Sequence, residues 1–320
     1  MSSALEGWSG DRSDRVIGVL TGFGIIGAII LLGYIIGRTD LLGTDPRAVL
    51  SRLVFFVLSP CLLFTVLAEA DVATLFSSVL VVSAIAAITS AGLFVLVATL
   101  IWRRKLPEVV IGGLASGYVN ANNIGIPVAV YVLGDAALPA PVILLQLLVL
   151  APIALTILDL STTGKLSLSR ILLQPVRNPL IIASLLGVIV SVTGLQIPAP
   201  VMAPFQLVGA ATVPLVLIGF GISLHGQKVF QPGSGRKEIA LATAIKLVLM
   251  PVVAWVAGTA FGLSAESLHS VVVLAALPSA QNVFNYAQRY GRGEVIARDA
   301  VLLSTIGAVP ALLVISLLLV

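Results

Sequence analysis

The amino-acid sequence predicts an all-α integral membrane protein of ten transmembrane helices, built as two inverted five-helix repeats with the fourth and ninth helices broken. Three observations lead there. The 320 residues are 58% hydrophobic and only 10% charged, where a soluble domain carries about 25% charged residues, so most of the surface is made for lipid. The basic residues recur in every second loop. Two apolar stretches are interrupted by amides and proline, Tyr118-Val-Asn120-Ala-Asn122-Asn123-Ile-Gly125-Ile-Pro127 and Leu277-Pro278-Ser279-Ala-Gln281-Asn282-Val-Phe-Asn285-Tyr286.

A helix needs about 20 apolar residues to cross a bilayer. The tail 1–15 mixes Glu6, Asp11 and Asp14 with Arg12 and Arg15, unlike a secretory signal. The apolar run 16–37 is too long for a signal core and reads as the first span. The next four are expected near 48–68, 73–101, 109–133 and 138–159, and the last five near 178–195, 200–224, 238–262, 268–290 and 296–319. The domain plan is therefore a short extracytoplasmic tail (1–15), a first repeat (16–160), a cytoplasmic loop (161–177) and a second repeat (178–320), forming one membrane domain.

The charges orient these spans. Arg38, Arg47 and Arg52 follow the first span, Arg103, Arg104 and Lys105 the third, and Lys165, Arg170 and Arg177 the fifth. Lys228, Arg236 and Lys237 follow the seventh, and Arg289, Arg292 and Arg298 the ninth. The even-numbered loops carry no Lys or Arg. Basic loops stay in the cytoplasm, so both termini are expected outside a plasma (inner) membrane. The net charge of +4 thus reports topology and not nucleic-acid binding.

Five spans per half is an odd number, so homologous halves must be inverted. Pro60 and Pro214 each follow a Leu-Val pair at the same spacing, and Pro152 and Pro310 each follow a Leu-Leu pair. Gly134 and Gly291 end the two broken spans. Each pairing is offset by roughly 155 residues, as a duplicated unit requires.

The string Asn120-x-x-Asn123-x-Gly125-x-Pro127, with Pro278-Ser-Ala-Gln-Asn282 and Ala287-Gln-Arg-Tyr290-Gly291, resembles the auxin efflux carrier family, which includes bacterial malonate and malate permeases. The short central loop is similar to that of the compact bacterial members. The resemblance implies a fold related to bile-acid sodium symporters. It implies a scaffold of spans 1, 2, 6 and 7 beside a transport unit of spans 3–5 and 8–10, with the broken helices crossing at the substrate site and an elevator-like movement. A homodimer through the scaffold is implied on the same ground.

Broken helices direct half-helix ends at mid-membrane, and an N-terminal end offers free N–H donors and about +0.5 charge to an anion. Asn amides add donors or carbonyl oxygens. The expected substrate site is Asn120, Asn122, Asn123 and Gly125 from the first break and Ser279, Gln281, Asn282 and Asn285 from the second. Pro127 and Pro278 are expected to shape the breaks. Lys246 is the one basic residue well inside a span. It either serves an anionic substrate, replaces a coupling cation, or snorkels to the cytoplasmic face. Isolated Gln146 and Gln206 are expected to bond between helices.

Other chemistry is disfavoured. Gly22-Phe-Gly24-Ile-Ile-Gly27 lies within an apolar span and lacks a preceding strand, so it is not a dinucleotide loop. The single Cys61 and the distant His225 and His269 form no metal motif, and no catalytic constellation appears. No buried mid-span carboxylate offers a proton relay. The function expected is secondary transport of a small organic anion such as a mono- or dicarboxylate, without cofactor. The coupling ion, Na+ or H+, stays open. A bile-acid-type sodium symporter and a non-transporting ligand sensor are the alternatives.

Overall fold

The computed structural model describes residues 12–39, 41–43, 45–70, 78–163, 178–225 and 235–319. Most of the N-terminal tail, most of the central loop with Lys165, Arg170 and Arg177, and Lys228 lie outside these described residues. Twelve helices are present among them. They are α1 (Arg12–Thr39), α2 (46–69), α3 (Ser78–Ile101), α4 (Leu106–Gly117), α5 (Ala121–Leu133), α6 (140–163), α7 (Pro179–Thr193), α8 (Ala199–Leu224), α9 (Arg236–Ala260), α10 (Ala265–Ala276), α11 (Gln281–Tyr290) and α12 (Glu294–Leu319). Seven are long and apolar enough to cross a membrane: α1, α2, α3, α6, α8, α9 and α12. Four more, α4, α5, α7 and α10, are apolar but shorter.

Proline sets much of the local geometry. Four π-turns, Val54–Leu58, Ala121–Gly125, Gln146–Leu150 and Ile245–Leu249, each end two residues before a proline, at Pro60, Pro127, Pro152 and Pro251. A helical proline clashes with the carbonyl four residues back. That residue is the middle one of the turn in every case (Phe56, Asn123, Leu148, Leu247). Widening the turn moves the carbonyl away and lets the helix continue.

This explains a departure from expectation. Pro127 does not make the first break. It lies inside α5, which runs on past it to Leu133. The chain leaves the helix at residues 118–120, where Tyr118 is extended and Asn120 adopts a non-helical conformation. Pro278 does lie in the second break, residues 277–280, where Leu277 and Ala280 are extended. Gly134 and Gly291 end α5 and α11 in left-handed conformations (φ 78° and 61°) that glycine adopts without strain.

The helices pack as two groups. Helices α1, α2, α7 and α8 pack chiefly on one another, as do α3, α4, α6, α9, α10, α11 and α12. Helix α5 lies at the seam, against α1 and α8. The α1–α8 crossing is close enough that a Cβ at Gly33 would overlap the Ile218 carbonyl and one at Gly221 the Ile30 carbonyl. Small residues allow such approach where lipid supplies no hydrophobic drive. Gly22 makes the same approach to the Tyr131 carbonyl of α5. The outward faces carry exposed apolar side chains such as Leu31, Leu32, Leu185, Leu186, Ile189 and Leu207, as lipid contact requires.

Gly33→Val should therefore destabilise the protein by about 1–3 kcal/mol through overpacking. Gly27→Ala, which meets nothing within 4 Å, should not. Thermal unfolding of the detergent-solubilised variants, followed by size-exclusion chromatography, checks the difference.

Candidate functional site

The two breaks meet. Residues 118–120 and 278–280 run antiparallel, with Val119 opposite Ser279. The Asn120 N–H donates to the Pro278 carbonyl (2.8 Å) and the Ala280 N–H to the Tyr118 carbonyl (2.9 Å). Each break thus supplies the partner that the other lost on leaving its helix, at a depth where an unsatisfied backbone group costs several kcal/mol.

Side chains secure the pairing. The buried Ser279 hydroxyl donates to the Ala115 carbonyl near the end of α4. The Ser279 N–H donates to Ser304 Oγ on α12 (3.1 Å). Leu277, fully buried, packs over Gly125, where a Cβ would stand 2.9 Å from its Cδ1. The Tyr118 phenol faces Tyr286 and the Asn282 side chain.

The first turn of α5 is organised by its own amides. Asn120 caps it, its Oδ1 accepting from the Asn123 N–H (3.3 Å), and its backbone carbonyl accepts from Gly125 N–H (2.9 Å). Asn122 Nδ2 donates to Asn123 Oδ1 (2.9 Å) and to Ser59 Oγ (3.3 Å). Asn122 Oδ1 is buried and has no partner among the described residues. Helix α11 starts differently. Its N-cap is Ala280, which has no side-chain acceptor, so Gln281 and Asn282 begin a helix with an uncapped N-terminus.

Lys246 does not snorkel. It is fully buried, and its Nζ donates to the Ala275 carbonyl (2.6 Å) and to Met250 Sδ (3.1 Å). Ala275 is in the last turn of α10, so the Lys246 amine lies at the negative end of a half-helix. Met250 and Ala275 also line a cavity of about 10 Å³ together with Gly117 and Val119, where Ser83 Oγ and Gln146 Oε1 have no partner among the described residues. That volume suits about one water molecule.

The structure thus brings Asn120, Asn122, Asn123, Gly125, Ser279, Gln281 and Asn282 together at the paired breaks, with Lys246 behind α10. Asn285 differs. It is exposed, one turn beyond Asn282, on a polar face of α11 shared with exposed Gln288 and Arg289. Gln206 bonds between helices, its Nε2 donating to Glu69 Oε1 (3.2 Å). Gln146 faces the small cavity instead. Sequence reasoning missed Ser59, Ser83 and Ser304. Of these only Ser59 carried a signal, its place directly before Pro60 in an apolar span. Among the described residues no three His, Cys, Asp or Glu side chains gather as a metal site.

Interrupted helices that pair inside an otherwise apolar-surfaced helical body are a recurring feature of membrane transporter folds. Residues 24–165 and 154–316 match the membrane transport protein family, so the chain belongs to that family, which is also that of the auxin efflux carriers. It is 26% identical to the uncharacterized transporter YfdV of Escherichia coli (strain K12) over 278 residues, 82% of this chain and 85% of that protein. It is 24% identical to the "Putative malonate transporter" of Rhizobium meliloti (strain 1021) over 293 residues, 87% of this chain and 88% of that one. A 146-residue stretch, 44% of this chain, is 28% identical to "Probable auxin efflux carrier component 5c" of Oryza sativa and covers 39% of it. The chain is a multi-pass membrane protein of a transport family and not an enzyme.

Ser279→Ala should leave the Ala115 carbonyl unsatisfied and lower stability by about 1–3 kcal/mol. Ser279→Thr, which keeps the hydroxyl, should lose less. Thermal unfolding of both variants in one detergent decides this.

Proposed function

We propose that this protein is a secondary transporter of small organic anions, mono- or dicarboxylates such as malonate or malate, in the plasma (inner) membrane. Helices α4 with α5, and α10 with α11, act as the fourth and ninth of ten spans in two inverted repeats (16–160 and 178–320), joined by the cytoplasmic loop 161–177. Both termini lie outside. Helices α1, α2, α7 and α8 are the scaffold, and the remaining helices carry the substrate in an elevator-type movement. The packing of α1, α2, α7 and α8 chiefly on one another, with α5 at the seam, supports this reading. A similar protein named for malonate supports the substrate class.

One observation carries the proposal. The paired breaks place the uncapped N-terminus of α11 beside the amide-rich first turn of α5. Free N–H groups at a helix N-terminus attract a carboxylate. Asn120, Asn122, Asn123, Gln281 and Asn282 supply the polar groups that fix its orientation. Gly125 gives room for Leu277, and Ser279 holds the breaks together. Asn285, with Gln288 and Arg289, lines a wet approach, since an exposed polar helix face at this depth needs water. Lys246 places its amine at the C-terminal end of α10, in the place a coupling cation would occupy.

Uptake of labelled malonate and malate by purified protein in liposomes, under imposed pH, sodium and voltage gradients, tests the function. Saturable uptake above empty liposomes is expected, and the gradient that drives it names the coupling. Sodium-dependent uptake would favour a symporter, and binding without uptake a sensor. Asn282→Ala should lower uptake at least tenfold, about 1.4 kcal/mol, with protein yield unchanged. Lys246→Met should lose uptake of anions more than of neutral analogues. Wild-type uptake by Asn282→Ala would remove that residue from the site.

A further inference from the structure

Ser59 lies on α2, and Asn122 on α5 at the seam between the two groups of helices. Ser59 follows the π-turn of α2, directly before Pro60, and is fully buried. Asn122 lies in the first turn of α5. A carboxamide has two N–H donors. Those of Asn122 are both engaged, by Ser59 Oγ and Asn123 Oδ1. In this orientation Oδ1 is buried and without a partner among the described residues. A buried acceptor left open is costly, and a ligand that brings a donor relieves it, as the malate hydroxyl does and the acceptor-only malonate dianion does not.

We propose that Ser59 is a positioning residue for the substrate site. From the scaffold it fixes the Asn122 carboxamide so that the amide oxygen, not the nitrogen, meets the ligand. The proposal rests on reading the paired breaks as that site.

Ser59→Ala and Ser59→Thr in the full chain test this. Two quantities are read: KM for malate uptake in liposomes, and hydrogen–deuterium exchange of backbone 118–126 without substrate. Ser59→Ala should raise KM about fivefold, the effect of one net hydrogen bond, and speed exchange of that segment. Ser59→Thr keeps the hydroxyl and should stay within about twofold of wild type in both. Wild-type KM and exchange in Ser59→Ala would overturn the proposal. So would equal losses in both variants, which would assign Ser59 to packing. Should the wild-type protein take up no malate, exchange alone decides. Faster exchange in Ser59→Ala with normal exchange in Ser59→Thr keeps the positioning role for another substrate, and unchanged exchange removes it.

Discussion

Two backbone hydrogen bonds between the breaks, Asn120 N–H to Pro278 O and Ala280 N–H to Tyr118 O, are the constraint on which the rest of this structure depends. A chain that leaves its helix inside a membrane exposes N–H and C=O groups that lipid cannot satisfy. One break alone would be untenable. Two breaks that face each other satisfy one another, and the pairing fixes where four half-helix ends converge. The seal of Leu277 over Gly125 and the Ser279 bond to α4 follow from that register.

The convergent ends are treated unequally. The carbonyl ends of α4 and α10 are met by a hydroxyl and an amine, from Ser279 and Lys246. The N–H end of α5 is capped by Asn120. The N–H end of α11 has no side-chain cap. With a carbonyl at each negative end engaged, the uncapped N-terminus of α11 is left facing the polar turn of α5. The proposed anion site rests on this asymmetry.

Much of this was legible in sequence, for identifiable reasons. The helices lie close to the apolar stretches because each is bounded by charge or glycine, as at Arg38, Gly134 and Gly291. The second break was readable because Pro278 lies within it. The first was misattributed to Pro127, whose strain is absorbed by a π-turn. What places it at 118–120 is pairing with a segment some 160 residues away, and no local signal encodes that. The same limit applies to Lys246, whose acceptor is a carbonyl of another helix, and to Ser59 and Ser304, lone hydroxyls in apolar runs. Asn285 shared the motif of its neighbours, but helical rotation turns it to the exposed face.

The most direct test of the paired breaks is a disulfide between them. Val119 and Ser279 form the antiparallel pair flanked by both hydrogen bonds, where Cα atoms stand about 4.5 Å apart, within reach of a disulfide. In a Cys61→Ala background, Val119→Cys with Ser279→Cys should cross-link under mild oxidation in membranes. Mass spectrometry would then recover one peptide from each half, joined. Free thiols at both positions after oxidation, in protein that remains folded, would contradict the pairing and the site built upon it.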